Sequence, residues 1–423
     1  MFGDQHVESL GGAQVSMRLQ RRFLEKAGHT VTIVAPAAHG ARRAAIAPDP
    51  AYLDLPSVPI TLDREYAMPW PGRRTDALID AALRRRPPVD VVHVQADFWG
   101  AMLGHRFATG HGLPVVHTMH NRVDVGIRAV TPLAGLVLPA LNAWQRRALR
   151  IHDDPGGDGW AYLRRFARRS HAVTAPSAHF ARRLEQHGAV PASDVVWNGA
   201  ALERDAAPRT VDVVWNGIDD EILDASLAAA RSADGTAAPR APGLPRLIWI
   251  GRMSPEKRLL PFLEALAASG IAANVDLIGG GGQAAAAERL VRTRRPAASV
   301  AFVGRLPYAE TLRRIADADA VVQTSVGFET QGMTVFEAAS LGTPAIVCDP
   351  DIAAELGSGV WTVPGDGTSV TALAGTLRRA AADIEAGTAP SPDPSIAERF
   401  RQSSRTAAMT EVYERAIAVA SGV

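Results

Sequence analysis

A single cysteine, Cys348, stands in 423 residues, which excludes an intramolecular disulfide framework and fits a reducing compartment best. No apolar run is long enough to span a bilayer and no signal-peptide pattern is visible, so the sequence reads as cytoplasmic. Charge of one sign is missing too: the formal net charge is +1, and no interleaved basic and aromatic motif occurs, which argues against nucleic acid as a partner. Lysine is nearly absent. Of 45 basic side chains only Lys26 and Lys257 are lysines. Under so strong a preference for arginine, a surviving lysine points to a need for a compact point charge where a planar fork would not serve. Lys26, in Leu24-Glu-Lys-Ala-Gly-His29, reads as a solvated helix end, which leaves Lys257 as the informative one.

The length exceeds what one core usually organises, so two domains are expected. Short β-branched runs alternate with helical patterns at Val31–Val34, Val58–Leu62, Val89–Val94, Val115–Thr118 and Ala172–Ala175. The scheme repeats at Leu247–Ile250, Val275–Ile278, Val300–Val303, Ala320–Gln323 and Ala345–Cys348. Such alternation predicts parallel sheets covered on both faces, here an α/β protein of two doubly wound Rossmann-like domains. The boundaries read as 1–215, a hinge and linker over 216–245 that turns rich in alanine, proline and glycine, and 246–396. Residues 1–200 carry 24 basic and 17 acidic side chains and the remainder 21 and 27, an asymmetry that suits an anionic partner for the first half.

In open parallel sheets ligands bind beyond the carboxyl ends of the strands. There the second half offers Gly251-Arg252 with Lys257, Gly279 to Gly282, Gly304-Arg305 and Glu329; the first offers Gly11-Gly12, Gln95, Asp97, His117 and His120. A cleft between the domains is the expected site. The most informative stretch is Phe328-Glu-Thr-Gln-Gly-Met-Thr-Val-Phe-Glu-Ala338. Glu329 belongs in the loop after a strand, and Glu337 about one turn inside the next helix. Between them the free N–H groups near Gly332, Met333 and Thr334 form an anion receptor. A phosphate at the helix start, flanked by carboxylates that accept from hydroxyls, points to a nucleotide sugar.

Two irregularities accompany this pattern. Asp-Val-Val-Trp-Asn-Gly occurs at 194–199 and again at 212–217, which reads as a tandem duplication. Deletion of 199–216 should leave folding and activity intact. Only Met1-Phe2-Gly3 precedes the first glycine loop, too little for a full central strand, so the native start is expected upstream.

Taken in order, these motifs resemble the retaining glycosyltransferases of family 4, which have two Rossmann-like domains facing each other across a cleft, the GT-B fold. The resemblance rests on Gly11-Gly12, Gly28-His29-Thr30-Val31, Ala175-Pro176-Ser177, Asn216-Gly-Ile-Asp219, Gly251-Arg252 with Glu256-Lys257, and the paired glutamates. Where many members carry Glu-Gly-Phe-Gly, this chain has Glu329-Thr-Gln-Gly332, similar to enzymes that glycosylate diacylglycerol or related lipids. His93-Val-Gln-Ala-Asp-Phe-Trp-Gly100 and Val115-Val-His-Thr-Met-His-Asn121 resemble the same subgroup.

The resemblance implies that Arg252 and Lys257 hold the donor diphosphate, that Gly11, Gly12, Gly279, Gly280, Gly332, Met333 and Thr334 approach the donor, and that Glu337 binds the ribose. It implies that Glu329 meets sugar hydroxyls, that His120 sits near the reactive carbon, and that the closing helix, 397–423, completes the first domain. Gln95, Asp97 and Asn121 become acceptor contacts. Donors of the UDP-glucose or GDP-mannose type and a lipid or glycan acceptor follow, with no cofactor and no metal. Asp349-Pro-Asp351 imitates an acid pair for a metal but reads as an ordinary loop, and His117 reads as a core histidine. The span Trp144 to Arg169, with Trp144, Trp160 and Phe166 among many arginines, fits either a solvated helix or a peripheral contact with an anionic membrane at the inner face. A nucleotide-sugar epimerase and a non-catalytic nucleotide-sugar-binding protein are the rival readings.

Overall fold

The computed structural model describes residues 1–9, 12–40, 43, 46–60, 64, 67–130, 133–152, 154–190, 211–229 and 243–422. Gly11, the first copy of the repeated hexapeptide and most of the alanine-rich linker lie outside the described residues. The chain divides into two compact units, Met1–Gly217 with Gln402–Val423, and Ile218–Arg401.

Unit one is built on strands β1 (Phe2–Gly3), β2 (Ile33–Pro36), β3 (Tyr52–Leu55), β6 (Val92–Gln95), β7 (Val115–Thr118), β8 (Ala172–Ala175) and β9 (Val211–Val213). They form one sheet in the order β3-β2-β1-β6-β7-β8-β9, and every pairing is parallel. The connecting helices are α1 (Gly12–Lys26), α2 (Arg73–Leu83), α3 (Trp99–His111), α4 (Val123–Val130), α5 (Ala134–Leu149), α6 (Gly159–Ala167) and α7 (Ala178–Gln186). Burial on both faces explains the uninterrupted apolar runs: the described residues of β2 and β6 to β9 are nearly all interior.

Unit two begins with α8 (Asp220–Ala229) and contains β10 (Arg246–Arg252), β11 (Asn274–Gly280), β12 (Ser299–Gly304), β13 (Ala320–Gln323), β14 (Ala345–Val347) and β15 (Val360–Thr362). Their order is β12-β11-β10-β13-β14-β15, again wholly parallel. Its helices continue as α9 (Leu259–Ser269), α10 (Ala284–Arg294), α11 (Tyr308–Asp317), α12 (Met333–Ser340), α13 (Pro350–Leu356), α14 (Val370–Ala386) and α15 (Ser395–Phe400). The core around Trp249, Phe262, Leu263, Leu277 and Leu377 is apolar and almost inaccessible. Each such side chain contributes about 1.5–3 kcal/mol by leaving water.

The last helix, α16 (Gln402–Ser421), returns to unit one, where Met409, Val412 and Tyr413 join Met17 and Leu24 of α1 in the core. The Arg415 guanidinium donates to Asp212 at 2.6 Å, and Ser16 donates to Asn216 at 2.7 Å. The second copy of the repeated hexapeptide is therefore the one that supplies β9 and the contacts around it.

Two expectations about elements are corrected. The run Val58–Leu62 does not enter the main sheet: Val58–Pro59 (β4) pairs antiparallel with Ala67–Met68 (β5), and Val58 and Ile60 are exposed. Pro59 lacks an N–H and breaks a ladder, so the neighbour of β2 is instead Tyr52–Leu55. The central position is held by β1, a two-residue strand that pairs with both β2 and β6. The span Trp144–Arg169 is only in part a solvated face: Arg147, Arg150, Arg168 and Arg169 are exposed. Phe166 and Arg165 are buried, and the Arg165 guanidinium donates to Asn142, to Gln145 at 3.2 Å and to the Asp154 and Gly156 carbonyls. Arg164 and Arg168 both pair with Asp154.

Candidate functional site

Both sheets reverse their strand order at a central pair, β1/β6 in unit one and β10/β13 in unit two. The loops leaving such a pair diverge to opposite faces and open a crevice at the strands' carboxyl ends. In each unit that is where the titratable groups gather.

In unit two, β10 ends at Gly251-Arg252, and a single 3-10 turn, Pro255–Lys257, leads into α9. Gly279 allows this approach of β10 and β11, because a Cβ there would lie 1.9 Å from the Gly251 carbonyl oxygen and φ is +128°. Gly279 and Gly280 thus face the backbone of the neighbouring strand. Thr324, just past β13, accepts from the Trp249 indole at 2.9 Å and donates to the Lys257 carbonyl at 2.6 Å, fixing the lysine's backbone to the sheet. The Lys257 ammonium reaches Glu329, whose same oxygen accepts from the Ser325 hydroxyl at 2.6 Å. Burial would raise the Glu329 carboxyl, but the Lys257 charge, its hydrogen bond, Ser325 and the more distant Arg252 together hold it below the usual range. Arg252 is exposed and donates to Glu256 at 3.2 Å.

Glu329 lies in the loop after β13, and α12 starts at Met333 behind Gly332. Gly332 has φ +82°, and a Cβ would sit 2.9 Å from the Ile352 side chain. No side chain caps this helix start, so the Met333 and Thr334 N–H groups carry its positive end. Glu337, one turn in, is buried and accepts from the Tyr308 hydroxyl at 2.8 Å. Burial pushes its carboxyl up to about 7, against the lowering effect of that bond. The loop is pinned from below by Asp349, which accepts from Gly327 N–H at 2.7 Å and from Asp351 N–H at 3.0 Å as the cap of α13. That capping gives Asp349-Pro-Asp351 a structural role. Gln331, part of the variant motif, is interior.

In unit one the same geometry carries different chemistry. Asp4, directly after β1, accepts from the N–H groups of Asp97, Phe98 and Gly100 at 2.7–3.0 Å and so caps α3. Asp97 is fully buried, and its carboxylate accepts from the Asn121 amide at 2.7 Å and the His120 N–H at 3.3 Å. Burial, and next the charge of Asp4, push Asp97 up to about 8; burial pushes Asp4 to about 6. His117, whose Nε2 donates to the Ala96 carbonyl at 2.8 Å and whose Nδ1 lies 3.0 Å from His105, is a core histidine that burial lowers to about 3. His120 is lowered to about 4 by burial and is neutral at physiological pH.

Gln95 belongs to an interior network, through Gln20, His93 and Thr118, that ends on the Tyr413 hydroxyl of α16. Gln95, Thr118, His120, Asn216 and Arg405 help line a polar cavity of about 20 Å³ in this unit. The structure thus brings Lys257 to Glu329, and Asp97 to His120 and Asn121. Gly12 opens α1, and Arg252 stands at its strand end. Tyr308, Ser325 and Asp4 were not anticipated. Asp4 alone carried a signal, an acid one residue beyond a strand. Among the described residues no group of acidic, histidine and cysteine side chains is arranged to hold a metal, and no helix is long and apolar enough to cross a membrane.

Comparison with known proteins agrees with this architecture. Residues 10–204 match the family model Glycosyltransferase Family 4, and residues 237–383 match Glycosyl transferases group 1. Alpha-monoglucosyldiacylglycerol synthase of Streptococcus pneumoniae is 24% identical over 353 residues, covering 82% of this chain and 70% of that protein. Among solved structures, HepE of Anabaena in complex with UDP superposes with a TM-score of 0.59 at 15% identity, covering 98% of both chains. Sucrose-phosphate synthase of Thermosynechococcus elongatus gives 0.62 at 16%, covering 97% of this chain and 94% of that one. With a family 4 half followed by a group 1 half on two doubly wound units, the chain belongs to the glycosyltransferases of the GT-B fold and resembles the lipid glycosyltransferases among them.

Proposed function

We propose that the protein is a retaining, metal-independent glycosyltransferase that moves a hexose, glucose in the first instance, from a uridine diphosphate sugar to a membrane lipid. The observation that carries this reading is the gathering of Lys257, Arg252, Glu329 and the uncapped start of α12 at the β10/β13 crevice. A leaving diphosphate gains negative charge as the glycosidic bond breaks, and fixed cations and helix-start N–H groups stabilise that charge. Glu329, already ionised beside Lys257, is placed to accept from sugar hydroxyls. Glu337, with Tyr308, is suited to a ribose. In the retaining course, the acceptor attacks from the face the diphosphate leaves, and the departing phosphate takes the acceptor's proton. Glu329 is then not a nucleophile. His120, neutral at physiological pH, serves as a hydrogen-bonding partner and not as a cation.

Uridine and glucose are supported by the UDP and UDP-glucose complexes of the Anabaena protein, and the lipid acceptor by the pneumococcal relative's name. The reading places the work at the cytoplasmic face of a membrane, with the donor on unit two and the acceptor on unit one. Thermal shift against UDP, GDP and ADP tests the donor: UDP at about a hundredfold over its Kd should stabilise the protein by about 2.7 kcal/mol. Labelled glucose should then pass from UDP-glucose into an extractable lipid, unaffected by a chelator. Nucleotide release with no lipid product, or no response to any diphosphate, would overturn the reading.

A further inference from the structure

Helix α5 has two apolar faces. Ala134, Leu138 and Ala148 point inward with Asn142 and Gln145. Outward stand Leu133, 60% exposed, Leu136, 72%, and Val137, 39%, continued by Ala140 and the half-buried Trp144. Their spacing, three, four, seven and eleven residues on from Leu133, draws one stripe along the helix. Trp70, 64% exposed, lies against Trp144 with ring centroids 5.3 Å apart and widens the stripe into a ridge. Soluble monomers rarely leave so continuous an apolar surface in water without a use for it.

Among the described residues the exposed charges nearest the ridge in sequence are basic. From Leu133 to His152 there is no carboxylate, while Arg147 and Arg150 are exposed at the end of α5 and Arg73 and Arg74 beside Trp70. The nearest acid in sequence to that arginine pair, Asp76, is already engaged by Arg106 at 3.0 Å. Leucines and indoles rimmed by guanidinium groups match the interfacial layer of a bilayer that contains anionic lipids. A second copy of the chain fits less well, because a self-complementary contact here would bring these arginines together.

We propose that this ridge, Trp70 with Leu133, Leu136, Val137 and Trp144, is the surface by which the protein docks on an anionic bilayer. It takes from the 144–169 span only Trp144, since Arg165 and Phe166 are interior. The inference takes its purpose from the lipid-acceptor reading, but docking and sugar transfer are measured separately. In sedimentation with phosphatidylcholine vesicles, the wild type should pellet only when phosphatidylglycerol is included, and less so at high salt. Leu136→Glu should lower the partition coefficient at least about tenfold. Arg147→Glu combined with Arg150→Glu should remove the dependence on phosphatidylglycerol. The UDP-induced thermal shift reports that each variant is folded, and Leu136→Asn serves if the glutamate variant is not. Wild type that stays in the supernatant at low salt, or Leu136→Glu that pellets like wild type, overturns the proposal. So does a lipid-free dimer that Leu136→Glu converts to monomer. Docking without transfer would remove the function reading and leave the surface standing.

Discussion

The two units share one sheet logic and treat charge at the strand ends in opposite ways. In unit two, Lys257 and Glu329 remain charged and partly accessible, held by Thr324 and Ser325. In unit one, Asp4, Asp97 and His117 are interior, and burial drives acids up and histidines down toward their neutral forms. The difference teaches that the same position at a strand end can leave a side chain partly accessible or enclose it. Asp97 and Gln95, read from the sequence as acceptor contacts, are both interior: one Asp97 oxygen accepts from His120 and Asn121 while the other has no hydrogen-bond partner among the described residues, and Gln95 bonds to Gln20 and His93.

The contrast breaks most severely at Lys257. Lys257→Ala should lower turnover about a hundredfold or more, the effect of losing about 3–4 kcal/mol of preorganised charge stabilisation, and Lys257→Arg should not restore it. Steady-state rates with UDP-glucose check this, and near-normal turnover in the alanine variant would remove Lys257 from the donor site.

Next comes Asp97. In Asp97→Ala the His120 N–H and the Asn121 amide lose their acceptor inside the protein, a cost of about 1–3 kcal/mol for each group left unpaired. Denaturant unfolding should show the loss while the UDP thermal shift persists, since the nucleotide is assigned to the other unit. A variant as stable as wild type would mean that Asp97 positions nothing.

A smaller effect lies in the pH dependence, where Glu337 of unit two sides with the buried acids of unit one. Asp97 has a folded value of about 8, above the ordinary 3.8, so its contribution to stability is complete below 3.8 and lost as pH rises through 8. Glu337 behaves alike between 4.5 and about 7. His117 and His120 have the opposite sign, with folded values of about 3 and 4 below the ordinary 6.5, so their contribution is present above 6.5 and lost as pH falls. Melting temperatures across pH should therefore lose a decline between 3.8 and about 8 in Asp97→Asn and one between 4.5 and about 7 in Glu337→Gln. Unchanged profiles would show that neither group titrates on folding.

The smallest effect is expected from deleting residues 199–216. The junction joins Asn198 to Gly217, so the first copy of the hexapeptide takes the place of β9, its Asp194 meeting Arg415 and its Asn198 meeting Ser16. The melting temperature should move by only a few degrees. Insoluble protein would end the duplication reading.

Much of this was legible because it is local. Ala320–Gln323 was read to its last residue, and the runs beginning near Leu247 and Val275 lie inside β10 and β11, since parallel strands buried on both faces leave continuous apolar signals. The loop position of Glu329 and the helical position of Glu337 followed from Gly332, where a left-handed turn starts the helix. What escaped was set by distant partners. Tyr52–Leu55, and not the more β-branched Val58–Leu62, pairs with β2 in the main sheet; it carries no proline of its own, whereas Val58–Leu62 carries Pro59. Asp4 caps a helix that begins 95 residues later, and Tyr308 finds Glu337 across 29 residues; neither distance leaves a trace in spacing.

The sequence by itself determined the two series of parallel strands, the carboxylates on either side of a helix start, and Lys257 as the cation worth keeping. Periodicity, turn residues and composition are local or cumulative properties and need no folded partner to be read. Only the tertiary structure decided which charges face water. Arg165 and Asp97 are interior, while Leu136 and Trp70 stand outside, and burial, not residue type, determines whether a carboxylate binds a ligand, holds a loop or stays neutral.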